Sequence, residues 1–102
     1  MAHQLKLFLD STLKEPVKRF SFPRTEIGQS SDITFYITNT SEKWPIVEIK
    51  HNQTNKQIQV LDLPQVQNAG QKTRCILRYT PSMNTDDKLT TIIDLTGELH
   101  IG

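Results

Sequence analysis

A single cysteine, Cys75, stands in the 102 residues of this chain, so no disulfide can close within it. Small domains in oxidising compartments usually depend on such crosslinks, which points to a reducing compartment or to a place in a larger particle. Charge of one sign is also missing: twelve Lys and Arg stand against eleven Asp and Glu, a formal net charge of +1. With no overall field, neither nucleic acid nor an anionic membrane is expected as a partner. No run approaches the ~20 apolar residues of a membrane span. The opening MAHQLKLFLD lacks the basic start and apolar stretch of a signal peptide, so none is expected. Nowhere do apolar residues recur at helical spacing over ten residues with caps, which leaves essentially no helix.

What the chain has instead is alternation. In Ile27 to Thr40, the apolar Ile33, Phe35 and Ile37 alternate with Thr34, Tyr36 and Thr38 between turn residues Gly28 and Asn39. A period of two with one apolar face is a half-buried strand of an antiparallel sheet. A second copy follows 42 residues later, where Gly70, Gln71, Cys75, Leu77 and Tyr79 stand in place of Gly28, Gln29, Ile33, Phe35 and Ile37. Two such strands are expected to face each other across a core.

The remaining strands are shorter. Leu5, Leu7 and Leu9 form one face from about His3 to Asp10, with Phe8 on the other. Residues 11–24 hold Pro16 and Pro23, so an edge-hugging segment is expected, with a short strand near Phe20 to Phe22 and with Val17, Phe20 and Phe22 inward. Trp44 precedes Pro45, a position that prefers extended backbone. Ile46 to Lys50 reads as a strand with Val47 and Ile49 on one face, and Ile58 and Val60 as another. In Gln71 to Tyr79 the residues Cys75, Leu77 and Tyr79 point inward. From Leu89 onward Leu89, Ile93, Leu95, Leu99 and Ile101 share a face, and Gly97 among them suggests a bulge or bend. The expected core is Ile33, Phe35, Ile37, Val47, Ile49, Val60, Cys75, Leu77, Tyr79, Ile93 and Leu95. Seven or eight short strands at this spacing predict one all-β domain over residues 1–102, an antiparallel immunoglobulin-like β-sandwich, with residues 1–24 as an N-terminal strand and Pro-containing arm.

The order of signals resembles the immunoglobulin-like domains of the abnormal-spindle/hydin and major-sperm-protein kind. It rests on Phe22, Gly28 and Asn39-Thr40 around the first long strand, on Gly70 and Tyr79-Thr-Pro81 around the second, and on Leu95-Thr-Gly97 near the end. The likeness covers about four fifths of the chain. It departs from the pattern before the closing strand, where a long hairpin is expected and only Gly97 offers a turn. The architecture is also similar to accessory modules on tailed-phage virion proteins.

Chemistry-bearing residues are sparse. Cys75 lies on an inward face, away from any helix N-terminus that would favour its thiolate. Ser30-Ser31 has no nucleophile-elbow context. His3 and His100 would become neighbours if the first and last strands paired, and with Glu98 would offer a metal site, but single solvated histidines are the plainer reading. Asp86-Asp87 has no calcium-loop spacing. Arg74, Arg78 and Tyr36 could line one sheet face as a stacking platform for bases, against which the near-neutral charge argues. No enzyme, cofactor or metal is expected.

The expectation is therefore a structural interaction protein that docks on a capsid, tail or other large complex, as a decoration or accessory protein of a phage virion, alone or as a homo-oligomer within the assembly. Its partner-binding residues would be Leu5, Phe8, Lys14, Lys18, Arg19 and Trp44, because the N-terminal 24 residues carry five Lys or Arg against two acids and Phe8 wants a cover. The alternatives are a cytoplasmic adaptor, cytosolic or cytoskeletal, that binds peptides by strand addition and, least favoured, a small metal-dependent enzyme.

Overall fold

The computed structural model describes residues 5–53, 55–82 and 89–101. All of its regular structure is strand: β1 (Leu5–Phe8), β2 (Arg19–Phe22), β3 (Ser31–Asn39), β4 (Ile46–His51), β5 (Ile58–Leu61), β6 (Lys72–Tyr79), β7 (Leu89–Ile92) and β8 (Leu95–Leu99). A four-stranded sheet runs in the order β1-β3-β6-β5, and two ribbons, β2-β7 and β4-β8, make up the rest. Every pairing is antiparallel.

The two copies of the repeat are hydrogen-bonded neighbours rather than partners across a core. Ile33 stands opposite Leu77 and Phe35 opposite Cys75 in the β3–β6 ladder. Equal alternation suits a shared sheet as well as a facing one, and pairing side by side also satisfies both backbones. Each copy is entered by the same turn: Gln29 N–H donates to Glu26 C=O and Gln71 N–H to Asn68 C=O, both at 3.0 Å. Gly28 (φ +86°) and Gly70 (φ +74°) hold the third position of these turns, where a type II turn demands positive φ.

The apolar faces meet through aromatic pairs. Phe20 of β2 packs edge-on against Phe35 of β3 with centroids 5.4 Å apart, and Phe22 lies 5.4 Å from Tyr79. Both β2 phenylalanines are fully buried, as their alternation with Arg19 and Ser21 implies. Of the expected core, Phe35, Ile37, Ile49, Cys75, Leu77, Tyr79 and Ile93 are buried, while Ile33, Val47, Val60 and Leu95 are only half-buried. Leu5, Ile46 and Ile58 join it.

Strand β4 departs from simple alternation. Ile46 and Ile49, three residues apart, are both buried, and Val47 is not. The cause is a bulge: Val47 pairs with Glu98 and Lys50 with Thr96, so Glu48 and Ile49 together oppose Gly97. Glu48 absorbs the extra residue in the left-handed region at φ +55°. Gly97 therefore neither bulges nor bends its own strand. It gives way to the bulge opposite, for a Cβ there would lie 2.5 Å from Ile46 Cγ2. The break in the closing run falls earlier, at Ile93-Asp94, where the chain leaves β2 for β4. Ile93 N–H donates to Lys18 C=O, and Asp94 exchanges hydrogen bonds with Asn52 at 2.9 and 3.1 Å. Ile101, expected on the apolar face, is 67% exposed.

Two buried amides join the four-stranded sheet to β4. Asn39 donates to the C=O of Trp44 and of Gln67 and accepts from Ser41 N–H. Gln67, wholly buried, donates to the C=O of Ile37 and of Gln71, accepts from the Thr73 hydroxyl, and exchanges backbone bonds with Ile46. Every buried side-chain N or O among the described residues has a partner.

Candidate functional site

The N-terminal segment links the four-stranded sheet to the β2–β7 ribbon. Strand β1 forms the outer edge of the four-stranded sheet, with Leu5 opposite Asn39 and Phe8 opposite Tyr36. The chain then loops around Asp10, whose carboxylate accepts from Thr12 Oγ1 and from the N–H groups of Lys14 and Glu15. The Thr12 bond, with the two backbone bonds behind it, holds the Asp10 carboxyl below the usual carboxylate range. The returning strand touches β1 again, Val17 N–H donating to Leu7 C=O at 3.0 Å and Leu9 N–H to Glu15 C=O at 2.9 Å. One residue later Lys18 bonds Ile93 and the chain enters β2.

Beyond this crossing the described residues leave a side opening. A groove of about 470 Å³ lies between β1 and Ile93–Leu95, walled by Leu5, Leu7, Val17, Ile93 and Leu95 and bordered by Lys6, Lys18 and Asp94. The bonds at Leu7 C=O and Leu9 N–H fix the direction of the β1 backbone: odd residues turn away from β3. Leu5 and the Leu7 N–H therefore face the groove, where among the described residues neither a paired strand nor a loop backbone hydrogen bond reaches them. Among the described residues this is an unfilled strand edge beside an apolar floor.

The six residues expected to bind a partner separate. Leu5 is 7% exposed and belongs to the core, so its side chain presents nothing to a partner. Phe8 is half-buried on the outer face beside Tyr36, its backbone bridged to Pro16. Lys14, Lys18 and Arg19 are exposed. Trp44 is half-buried in a different hollow with Thr40 and Leu99, under the Lys43 ammonium at 4.8 Å from its ring centroid.

No protein-family model, curated protein or solved structure matches this chain. Its chemistry has to be read from the residues themselves.

The candidates for catalysis are occupied elsewhere. Cys75 is fully buried with Sγ 3.7 Å from Asp62 C=O. Desolvation, aided by the Asp62 charge, pushes its thiol up to about 12, so it stays protonated at neutral pH. Ser30 and Ser31 hydroxyls are spent on Thr80 and Thr25. His51 and His100 stand at opposite ends of the β4–β8 ribbon, and His3 and Asp86-Asp87 lie outside the described residues. Among the described residues no three His, Cys, Asp or Glu side chains gather to hold a metal.

The outer face of the four-stranded sheet carries what sequence reasoning saw only in part. Tyr36, Arg74 and Arg78 do share this face, but Phe8, Lys6 and Lys72 join them. Arg78 is held by Asp32 through two bonds of 2.8 and 3.0 Å, and this hydrogen bonding, with the guanidinium charge behind it, depresses the Asp32 carboxyl. The parity of each strand in this sheet was legible beforehand. The strand order that brings β1 next to β3 was not.

Proposed function

We propose that this protein is a non-enzymatic interaction module that docks on a larger protein assembly through the side opening beside β1. The observation that carries the reading is the unfilled β1 edge over the apolar groove. An extended segment of the assembly would pair with Leu5 and the Leu7 N–H, seat alternate side chains on Leu7, Val17 and Leu95, and meet Lys6 and Lys18 at its acidic positions. The architecture is read as an immunoglobulin-like sandwich, and on its likeness to accessory modules of tailed phages the assembly proposed is a virion. Strand addition to a free cytoplasmic peptide is the second reading, favoured by the same backbone groups.

Size-exclusion chromatography of the full chain in an extract of its source separates these. The docking reading expects the chain in the high-mass fraction and its Lys6→Glu/Lys18→Glu variant at its own mass of 11.7 kDa. A wild-type chain eluting at its own mass, or a variant that stays in the large fraction, overturns it.

A further inference from the structure

The outer face of the four-stranded sheet holds a second arrangement. Phe8 of β1 stands opposite Tyr36 of β3, and Tyr36 opposite Arg74 of β6, so two rings and a guanidinium form one row across three strands. The adjoining row is Lys6, Thr38 and Lys72, and the Lys72 ammonium lies 5.9 Å from the Tyr36 ring centroid. Outward positions of the four strands hold four cations, Lys6, Lys72, Arg74 and Arg78, against one carboxylate, Asp32. That carboxylate is spent on Arg78 at the far end of the face. Among the described residues Lys72 donates only to the neutral Ser11 C=O, and Lys6 and Arg74 make no ion pair.

We infer that this face binds single-stranded nucleic acid, with bases stacked on Tyr36 and Phe8 and the phosphate backbone held by Lys6, Lys72 and Arg74. The net charge of +1 argues against a nucleic-acid partner only if charge is spread evenly, and here it is not. Phosphates need unpaired cations, and bases need flat, half-exposed rings beside them. A four-stranded antiparallel sheet with aromatics on neighbouring strands supplies both without any base-edge readout, so little sequence preference accompanies it. An acidic protein segment would meet the cations but leave the row of flat faces without a matching partner. The platform adjoins the docking groove along β1, sharing Lys6 and Phe8, yet Tyr36 and Arg74 do not line the groove.

The test is fluorescence anisotropy of a labelled ten-nucleotide oligothymidylate titrated with the full chain. With about three phosphates neutralised, affinity should fall about twentyfold between 50 and 200 mM salt. Tyr36→Ala should weaken binding at least about fivefold. Arg74→Gln, an exposed change that leaves the fold alone, should reduce that salt effect to about sevenfold. Lys50→Glu on β4, outside the four-stranded sheet, should change neither the affinity nor its salt dependence. Absence of binding at 50 mM salt overturns the inference, as does binding indifferent to both Tyr36→Ala and Arg74→Gln. Displacement by poly-glutamate as readily as by unlabelled oligothymidylate also overturns it, because the face would then be a patch for anions or acidic proteins. Tyr36 and Arg74 lie outside the groove, so these outcomes leave the docking test as it stands. Lys6, common to both surfaces, is changed only in that test, and loss of oligothymidylate binding with Tyr36→Ala while the chain keeps its place in the high-mass fraction tells the two apart.

Discussion

Replacing Gly97 with alanine tests the meeting of β4 and β8 at one atom. The added Cβ would lie 2.5 Å from Ile46 Cγ2, 3.2 Å from Val47 C=O and 3.3 Å from Ile49 Cγ1. Carbon atoms pack at about 3.5–4.0 Å, so the first contact is short by roughly 1 Å. Ile46 cannot swing away cheaply, being β-branched, stiff at χ1 and wholly buried. The carbonyl belongs to the bulged strand and can move only with it. Overpacking of this kind costs about 1–3 kcal/mol, and the stiffer unfolded chain returns about 0.4–1 kcal/mol. A net loss of about 1–2 kcal/mol is expected, which lowers Tm by about 4–8 °C per kcal/mol in a domain this size. Urea titration should move the midpoint and leave the slope unchanged. In an Ile46→Ala background the clashing methyl is gone, and the new alanine fills part of the vacated space. Gly97→Ala should then be neutral or stabilising, a coupling of about 1–3 kcal/mol between the two sites. An equal effect in both backgrounds would show that Gly97 does not face the bulge, and the β4–β8 register would have to be redrawn.

Glu48→Gly should stabilise the protein by about 0.5–1 kcal/mol, since a left-handed residue with a Cβ is strained and this one is exposed; a loss in chemical denaturation would mean that the Glu48 side chain contributes more than the strain. Gln67→Ala should cost about 3 kcal/mol by calorimetry, because it strands the C=O groups of Ile37 and Gln71 and the Thr73 hydroxyl in the interior, whereas a cost below about 1 kcal/mol would mean that water enters. Native Cys75 should react slowly with iodoacetamide at pH 7.5, a rate near that of a free thiol being the contrary result. Its folded pKa of about 12 lies above the ordinary 9.0, so the unfolded chain sheds this proton first. Its contribution to stability is intact below pH 9, falls as pH rises from 9 towards 12, and disappears from the profile in Cys75→Ala.

Alternation alone was enough to place β2, β3 and β6 and to turn Phe20, Phe22, Phe35 and Leu77 inward, because a two-residue period leaves one choice of buried face. It misled at β4, where a bulge lets Ile46 and Ile49 point the same way across an odd interval. The left-handed residue that makes this possible is a glutamate, with no glycine to announce it. The closing run from Leu89 to Leu99 kept its parity through the exchange of β2 for β4, so nothing in its pattern marked the break at Ile93-Asp94. The candidate surfaces were hidden for a related reason. Lys6, Phe8, Tyr36, Lys72 and Arg74 are spread over 69 residues of chain and become neighbours only through strand order, which depends on long-range pairing. Leu5 looked like part of an anchoring arm because an edge strand and an arm have the same composition. Its burial follows from Asn39 standing opposite it.

The Asn39 and Gln67 amides bear on a choice the apolar residues cannot make. Sliding β6 along β3 by two residues would return every inward side chain to the inward face, so burial alone barely separates the two arrangements. Hydrogen bonds are less forgiving, since Gln67 reaches Ile37, Gln71 and Thr73 only when Thr73 stands opposite Ile37. In the slipped ladder these groups would be buried without partners, at about 1–3 kcal/mol each. Two polar side chains thus supply the gap between one native pairing and its nearest competitor. A chain with an apolar residue at position 67 would lose that discrimination, and its β3–β6 ladder would sample more than one alignment even where its total stability survived.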